Sequence, residues 1–186
     1  MLIRAGIDQF AHTLHGRAIR PDDPSYDDAR QVWNGMVDRR PTLVVQCAGA
    51  EDVAQSVALA RHEGLEISVR GGGHGVAGNA VADGGLMIDL SQMDTVRVDP
   101  KTQTARVGAG ATWGDFDGAA QEHGLATTGG TDSRTGVAGL VLGGGLGFLS
   151  RKYGLAADNL VAADIVTADG RTIRASEDEH PDLFWA

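Results

Sequence analysis

A run of three glycines followed by a histidine is the first place in the sequence where the residue types suggest chemistry. Residues 70–75 read RGGGHG and follow directly on a short apolar segment that predicts a strand. Because glycine has no Cβ atom, successive backbone N–H groups can turn toward one anion and form a concave nest suited to a pyrophosphate. Arg70 would add positive charge at its edge. The imidazole of His74 can serve there as a base, a metal ligand or a covalent attachment point.

This segment also allows interpretations that involve no bound anion. A tight glycine turn beside a solvated histidine would give the same residues. A metal site is disfavoured, since none of the six histidines belongs to an HExxH motif and only His12 and His15 lie close in sequence. That pair is more typical of an exposed helical face. We therefore expect no metal ion here.

A second glycine-rich stretch runs from residue 127 to residue 147. Hydroxyl residues and glycines alternate in TTGGTDSRTGVAG and precede the apolar run LVLGGGLG. Such a run predicts a helix that begins at Gly136, with its first N–H groups facing a ligand oxygen. The alternative is that these glycines serve only helix packing and turns.

The sequence argues against a Rossmann dinucleotide-binding motif and against a serine-hydrolase motif. Residues 145–150 nearly match GxGxxG, with Ser150 at the third glycine. However, residues 139–142 are a short preceding strand at best, and no strand ending in an acid follows at the expected separation. The GxSxG motif of serine hydrolases does not occur in the sequence.

The elements that would position the first site form a β-α-β pattern. Residues 43–47 predict a buried strand, residues 50–62 a helix that Gly64 ends, and residues 65–69 a second strand. Two strands joined through a helix should be parallel. After the glycine loop, residues 85–89 predict a third strand.

From residue 95 onward the pattern predicts antiparallel pairs. Residues 95–98 and 104–108 flank DPKT, which is typical of a hairpin. Residues 112–123 predict a helix with a threonine N-cap and an aspartate at the capping-box position. Residues 160–166 and 171–175 predict a last hairpin around ADG.

The same pattern divides the chain into four parts. Residues 1–40 are a polar lead-in with a short helix within residues 2–14 and a second helix or an extended segment from Tyr26 onward. We place a first lobe at 41–92, a second at 93–175 and the start of a C-terminal continuation at 176–186.

Composition limits the classes of protein and partner. The chain has 186 residues, of which 42% are hydrophobic and 22% charged, as in ordinary globular proteins. A net charge of −9 disfavours nucleic acid and anionic membranes as partners. The single cysteine rules out an intrachain disulfide and favours a reducing compartment. Neither a signal peptide nor an apolar run of roughly 20 residues occurs, so we expect a cytoplasmic protein.

Four segments, in this order, resemble the FAD-binding domain of the vanillyl-alcohol oxidase and p-cresol methylhydroxylase (PCMH-type) superfamily. The similarity is closest to the berberine-bridge-enzyme and 6-hydroxy-D-nicotine-oxidase branch, and it covers about residues 41–186. The segments are PTLVVQCAGAEDVAQSVALARHEGLEISV, RGGGHGVAGN, GGTDSRTGVAGLVLGGGLG and RKYGLAADNLVAADIVTADG.

The resemblance implies an α+β fold with two α/β lobes. The first lobe would be a β-α-β unit and the second a mainly antiparallel sheet with helices. It also implies that the flavin 8α-methyl carbon is joined to His74. A cysteine that makes a second covalent bond in some relatives aligns with Asp132, so only one bond is expected.

The residues that the resemblance places against FAD fall in three segments. They are Arg70, Gly71, Gly72, Gly73, His74, Gly75 and Asn79; Gly130, Thr131, Asp132, Thr135, Gly136, Gly139 and Gly143; and Asp158, Asn159, Val161 and Ile165. Taken alone, Asp158 and Asn159 are equally consistent with a turn before the last hairpin.

Members of this superfamily oxidise a C–H, C–OH or C–N bond of a small molecule by hydride transfer to flavin N5, and commonly pass the electrons to oxygen. They also carry a substrate domain and a return to the FAD domain. We therefore expect a catalytic base outside this chain, and a missing domain or second subunit after residue 186. The alternatives are a flavin-binding module without activity of its own and a nucleotide-phosphate-binding protein without flavin.

Overall fold

A four-stranded sheet is the frame of the first part of the molecule. The structure, a computed structural model, describes residues 4–186. The strands are β1 (Arg17–Ile19), β2 (Leu43–Gln46), β3 (Ile67–Arg70) and β4 (Leu86–Asp89). They lie side by side in the order β1-β2-β4-β3. β4 pairs in parallel with both β2 and β3, while β1 pairs antiparallel with β2.

Three helices accompany this sheet, and the third confirms the predicted β-α-β unit. They are α1 (Arg4–Ala11), α2 (Tyr26–Ala29) and α3 (Ala50–Glu63). α3 joins β2 to β3, which are parallel to each other but separated by β4. It ends where Gly64 adopts a left-handed conformation with φ of 66°, which glycine adopts without steric cost.

The two faces of the sheet bury different parts of the chain. Successive side chains of a strand point to opposite faces. Leu43 and Val45 therefore pack with Val57 of α3, while Val44 packs with Tyr26 on the other face. Fully burying each such side chain contributes roughly 1.5–3 kcal/mol. The first forty residues thus supply one side of this core as well as β1; the division at residue 40 stays a prediction.

The second part of the molecule begins with the predicted hairpin and capped helix. β5 (Val96–Asp99) pairs antiparallel with β6 (Thr104–Val107). α4 (Trp113–Gln121) follows. The side chain of Thr112 accepts a hydrogen bond from the backbone N–H of Asp115, whose carboxylate accepts one from the backbone N–H of Thr112. These reciprocal bonds are the predicted capping box.

The remaining elements are short helices and a final hairpin. The helix α5 (Val137–Leu142) begins after Gly136, as predicted. Residues 139–142 are therefore helical and do not form the strand that a Rossmann motif would need before residues 145–150. After it come α6 (Ser150–Tyr153), a 3-10 turn (Ala157–Asn159), the antiparallel pair β7 (Ala162–Val166) and β8 (Thr172–Ser176), and α7 (Pro181–Phe184).

A buried tryptophan explains one pair of glycines in the second stretch. The indole of Trp113 is 2% exposed and packs edge-on against Phe116, with ring centroids 5.3 Å apart. A Cβ atom on Gly129 would lie 2.3 Å from that ring, and one on Gly130 would lie 2.8 Å from it. These two positions need glycine because the core of the second part lies against their backbone.

Candidate functional site

The two glycine-rich stretches meet in the structure. A Cβ atom on Gly72 would lie 2.3 Å from the backbone nitrogen of Gly136 and 2.6 Å from its Cα atom. Gly73 has a φ of 69°, in the left-handed region that side chains disfavour. The first loop therefore packs backbone to backbone against the start of α5, and only glycine allows this approach.

Backbone donors in the first loop are available to a ligand. None of the N–H groups of residues 71–75 donates a hydrogen bond within residues 4–186. Gly71, Gly72 and Gly73 also line a cleft of about 300 Å³. Since backbone N–H groups at a buried or half-buried position normally find an acceptor, a run of five unused donors fits an anionic ligand such as a pyrophosphate.

The rest of the cleft comes from four other segments. They contribute Trp33, Asp94, Gly110 and Arg134, among others. The carboxylates of Asp94 and Asp115 also line it, and the second of these is held in the capping box of α4.

His74 is held on two sides. Its ring stacks on the indole of Trp33, with centroids 5.5 Å apart and an interplanar angle of 24°. Its Nδ1 atom lies 3.5 Å from the hydroxyl of Thr135. The structure thus brings together the histidine of the first stretch and a predicted contact residue of the second. The stack of His74 on Trp33 was not predicted. Trp33 lies in a polar segment 41 positions before His74, and nothing in that segment indicates a contact with the histidine.

The charge of Arg70 is already paired. Its Nε and Nη2 atoms donate to the two carboxylate oxygens of Asp89 at 3.1 and 2.6 Å, and its Nη1 atom donates to the carbonyl of Gln31 at 2.7 Å. The Asp89 side chain is fully buried. Arg70 lines the cleft, but its contact with pyrophosphate stays a prediction. Asp89 was not predicted as part of the site. The signal that could have found it is its position as an acid at the end of the apolar strand LMID.

Asp132 occupies a surface turn beside the histidine. Hydrogen bonds from Arg134 lower the pKa of the Asp132 carboxyl to about 2. It is therefore a carboxylate at neutral pH and offers no thiol for a second flavin bond. Thr131 is exposed on the same turn, and Gly139 within α5 and Gly143 directly after it are exposed as well.

The third predicted segment is committed to its own turn. Asp158 accepts a hydrogen bond from the backbone N–H of Leu155 at 2.7 Å, and the Asn159 amide donates to the carbonyls of Tyr153 and Leu155. Val161 is exposed and Ile165 half-buried, while Asn79 lies exposed beyond the first loop. Contact of these residues with FAD stays a prediction.

Two further observations concern alternatives to a flavin site. Across residues 4–186, no group of three or more histidine, cysteine, aspartate or glutamate side chains is placed to hold a metal ion. In that same part of the chain no helix is both long enough and apolar enough to cross a membrane.

Comparison with known families defines the class. The model of a family described as an FAD binding domain matches residues 41–176. The chain therefore belongs to this family of FAD-binding domains. It lies in the PCMH-type, berberine-bridge-enzyme-like branch, so the resemblance and the α+β fold class that the sequence predicted are confirmed.

Two comparisons, one of sequence and one of structure, find similarity over nearly the whole of this chain. (R)-6-hydroxynicotine oxidase of Paenarthrobacter nicotinovorans is 45% identical over 174 residues, which are 94% of this chain and 38% of that protein. The crystal structure of 6-hydroxy-D-nicotine oxidase from Arthrobacter nicotinovorans superposes with a TM-score of 0.91 at 46% identity, over 93% of this chain and 38% of that one.

A third relative is more distant. Glucooligosaccharide oxidase from Acremonium strictum, whose FAD is described as 6-S-cysteinyl and 8α-N1-histidyl, has a TM-score of 0.86 at 35% identity, over 97% of this chain and 38% of that one. The chain thus spans about two fifths of the length of the proteins it matches.

Proposed function

We propose that this chain holds FAD covalently through His74, within an oxidase for a small organic substrate. One observation carries the proposal. His74 lies in a loop whose five N–H donors are unused, and that loop packs directly against the start of α5. A nest for a pyrophosphate and a nucleophilic nitrogen are therefore adjacent on one rigid backbone.

The residues of this chain bind and orient the cofactor. The N–H groups of residues 71–75 would donate to the pyrophosphate oxygens, as anion nests do. The open space beside Gly75 and Gly139, where a Cβ atom would meet nothing within 4 Å, leaves room for the rest of FAD. When bound, FAD supplies a hydride acceptor at flavin N5 and passes the electrons to dioxygen. We assign no catalytic base to this chain.

One covalent bond, rather than two, fits the residues near the histidine. The name of the glucooligosaccharide oxidase relative supports a histidyl link at the flavin 8α position. Its second link is through a cysteine, for which this chain offers the carboxylate of Asp132 at the aligned position. The thiol of Cys47 is fully buried in the first core, out of reach of a ligand in the cleft.

Acid denaturation tests the attachment. We expect flavin fluorescence to remain with the denatured wild-type chain and intact mass to rise by one flavin. The His74→Ala variant should release its flavin completely. His62→Ala is the matched control, since that side chain is 82% exposed and pairs with its neighbour Glu63; it should behave as wild type. Free release of flavin from a folded, FAD-loaded wild type would contradict the attachment.

Oxidase chemistry needs its own measurement. The FAD-loaded protein should be mixed anaerobically with alcohols, sugars and amines, and the flavin absorbance followed. Saturable bleaching that reverses on admission of oxygen supports an oxidase of small organic substrates. An attached flavin that no substrate reduces would support the flavin-binding module without activity of its own.

A further inference from the structure

Residues 31–39, which we call the bracing segment, run alongside residues 70–78, the proposed flavin-binding loop. Four hydrogen bonds join the two segments, and their partners follow one another in the same order along both. They are Arg70 Nη1 to the carbonyl of Gln31 at 2.7 Å, the Trp33 N–H to the carbonyl of Gly73 at 3.1 Å, Asn34 Nδ2 to the carbonyl of Val76 at 2.8 Å, and Arg39 Nη1 to the carbonyl of Gly78 at 2.9 Å.

Trp33 differs from its neighbours in this segment. Val32 and Val37 pack against the hydrophobic core of the first part. Trp33 belongs to none of the hydrophobic clusters of the described chain, and 55% of its surface is exposed. Its ring contact is the imidazole of His74. Core packing therefore does not account for a large apolar side chain at this position.

Trp33 contacts the His74 ring with its indole and the preceding residue, Gly73, with its backbone. Its N–H holds the carbonyl of Gly73, the residue that sets the direction of the next side chain. Its indole covers one face of the imidazole, while the Thr135 hydroxyl lies at the ring edge. A histidine on an exposed loop would otherwise occupy several χ1 and χ2 rotamers. In the structure these contacts hold the ring in one orientation, with no ligand present.

We propose that Trp33 is a positioning residue that orients the His74 imidazole for covalent attachment of flavin. The inference rests on the proposed function. In the attachment step, a bond forms between an imidazole nitrogen and the flavin 8α carbon, while the imidazole N–H and one 8α C–H bond break. The two protons and two electrons released pass to the isoalloxazine ring and then to dioxygen, which becomes hydrogen peroxide.

Orientation of the reacting nitrogen affects the rate of this step more than the affinity for FAD. Loss of alignment in a reaction between positioned groups costs about tenfold or more in rate. The pyrophosphate nest is made from backbone N–H groups, which the Trp33 side chain does not supply. Removal of the indole should therefore slow attachment and leave non-covalent binding nearly unchanged.

The experiment separates these two quantities. FAD-free chain is mixed with FAD in air, and covalent flavin is followed by in-gel fluorescence. We expect Trp33→Ala to link at least about tenfold more slowly than wild type, and Trp33→Phe to restore most of the rate because a ring still covers the imidazole. Trp185→Ala is the control, since that indole is 71% exposed and pairs with Phe184; it should link at the wild-type rate.

Two further readouts do not depend on attachment. The Kd for FAD is measured in a His74→Ala background, where adding Trp33→Ala should change it by less than about threefold. In the FAD-free chain, the NMR signals of the His74 ring protons should shift in Trp33→Ala and not in Trp185→Ala, because the indole ring current is lost.

The outcomes are distinct. If Trp33→Ala acquires covalent flavin at the wild-type rate, the inference is overturned and the proposed function stands. If Trp33→Ala weakens FAD affinity by as large a factor as it slows covalent linking, the inference is also overturned, because Trp33 would then serve FAD binding. Wild type that never acquires covalent flavin overturns the proposed attachment, and this inference with it.

Discussion

The guanidinium of Arg70 and the carboxylate of Asp89 form a two-bond ion pair at the point where β3 leads into the first glycine-rich loop. Asp89 ends β4, and Arg70 is its partner across the strand pair. The carboxylate also accepts bonds from Gln46 and from the backbone N–H of Ser91. The Ser91 hydroxyl donates to it as well, so five hydrogen bonds to one buried carboxylate join β2, β3 and β4 where the loop begins.

Asp89→Asn should therefore destabilise the fold strongly. Removing one member of a buried ion pair leaves the other uncompensated and costs about 3–5 kcal/mol. For a chain of this size that lowers Tm by roughly 6–20 °C, which thermal unfolding followed by circular dichroism measures. Asp132→Asn is the control, because its pair with Arg134 is exposed and should matter little. Equal Tm values for the two variants would contradict a structural role for the buried pair.

Gly72→Ala should destabilise the chain even without FAD. The new methyl group would lie 2.3 Å from the nitrogen of Gly136, so backbone must move. Overpacking of this kind costs about 1–3 kcal/mol. Gly75→Ala is the matched control, since its Cβ atom would meet nothing within 4 Å. Urea denaturation of both FAD-free variants tests this, and a Gly72→Ala curve that overlays wild type would refute the close approach.

Gly139→Ala should separate stability from cofactor binding. This helical glycine lies in open space on α5, so alanine should stabilise the FAD-free chain by up to about 1 kcal/mol. If FAD occupies that space, the same methyl group lowers FAD affinity. Gly118→Ala in α4 meets equally open space and should stabilise without changing the Kd. Wild-type FAD affinity in Gly139→Ala would place the cofactor elsewhere.

Cys47 should be inert in the folded chain and should affect stability only in alkali. Burial raises the pKa of its thiol to about 12, against about 8.5 in an unfolded chain. Since the folded value is the higher one, the neutral thiol stabilises the fold fully below the unfolded pKa. That contribution is lost as pH rises through the window up to 12, with a slope of about 1.4 kcal/mol per pH unit.

Two measurements check the cysteine. A disulfide reagent at neutral pH should label the native chain only when it unfolds. Between pH 9 and 12, the free energy of unfolding of wild type should fall more steeply than that of Cys47→Ala, which cannot titrate there. Rapid labelling of the native thiol would be inconsistent with its burial.

Local patterns account for the elements that could be predicted. The capping box of Thr112 and Asp115 and the start of α5 at Gly136 depend on residues within one helical turn, so the sequence carries the whole signal. β1 could not be predicted because three residues are too few to show alternation. Its position depends on pairing with β2, far along the chain.

The candidate site shows the same division. The glycines and His74 were predicted from their spacing and from the resemblance. The partners that hold them were missed, since Asp89 and Trp33 reach the loop from separate segments. Gly130 was predicted as a contact of FAD, and the structure gives it an additional reason to be glycine, the indole of Trp113. A pattern within one segment cannot distinguish a ligand from a buried side chain of another segment.

The position of β4 has a consequence for the order in which the chain folds. It is the last of the four strands to emerge from a ribosome, yet it lies between β2 and β3 and pairs with both. Neighbouring parallel strands require a crossover connection, usually a helix. Between β3 and β4 that connection is residues 71–85, which include the glycines and His74. Pairing of β4 with β3 therefore fixes both ends of the loop that carries His74, and a chain not yet long enough to include β4 lacks that constraint.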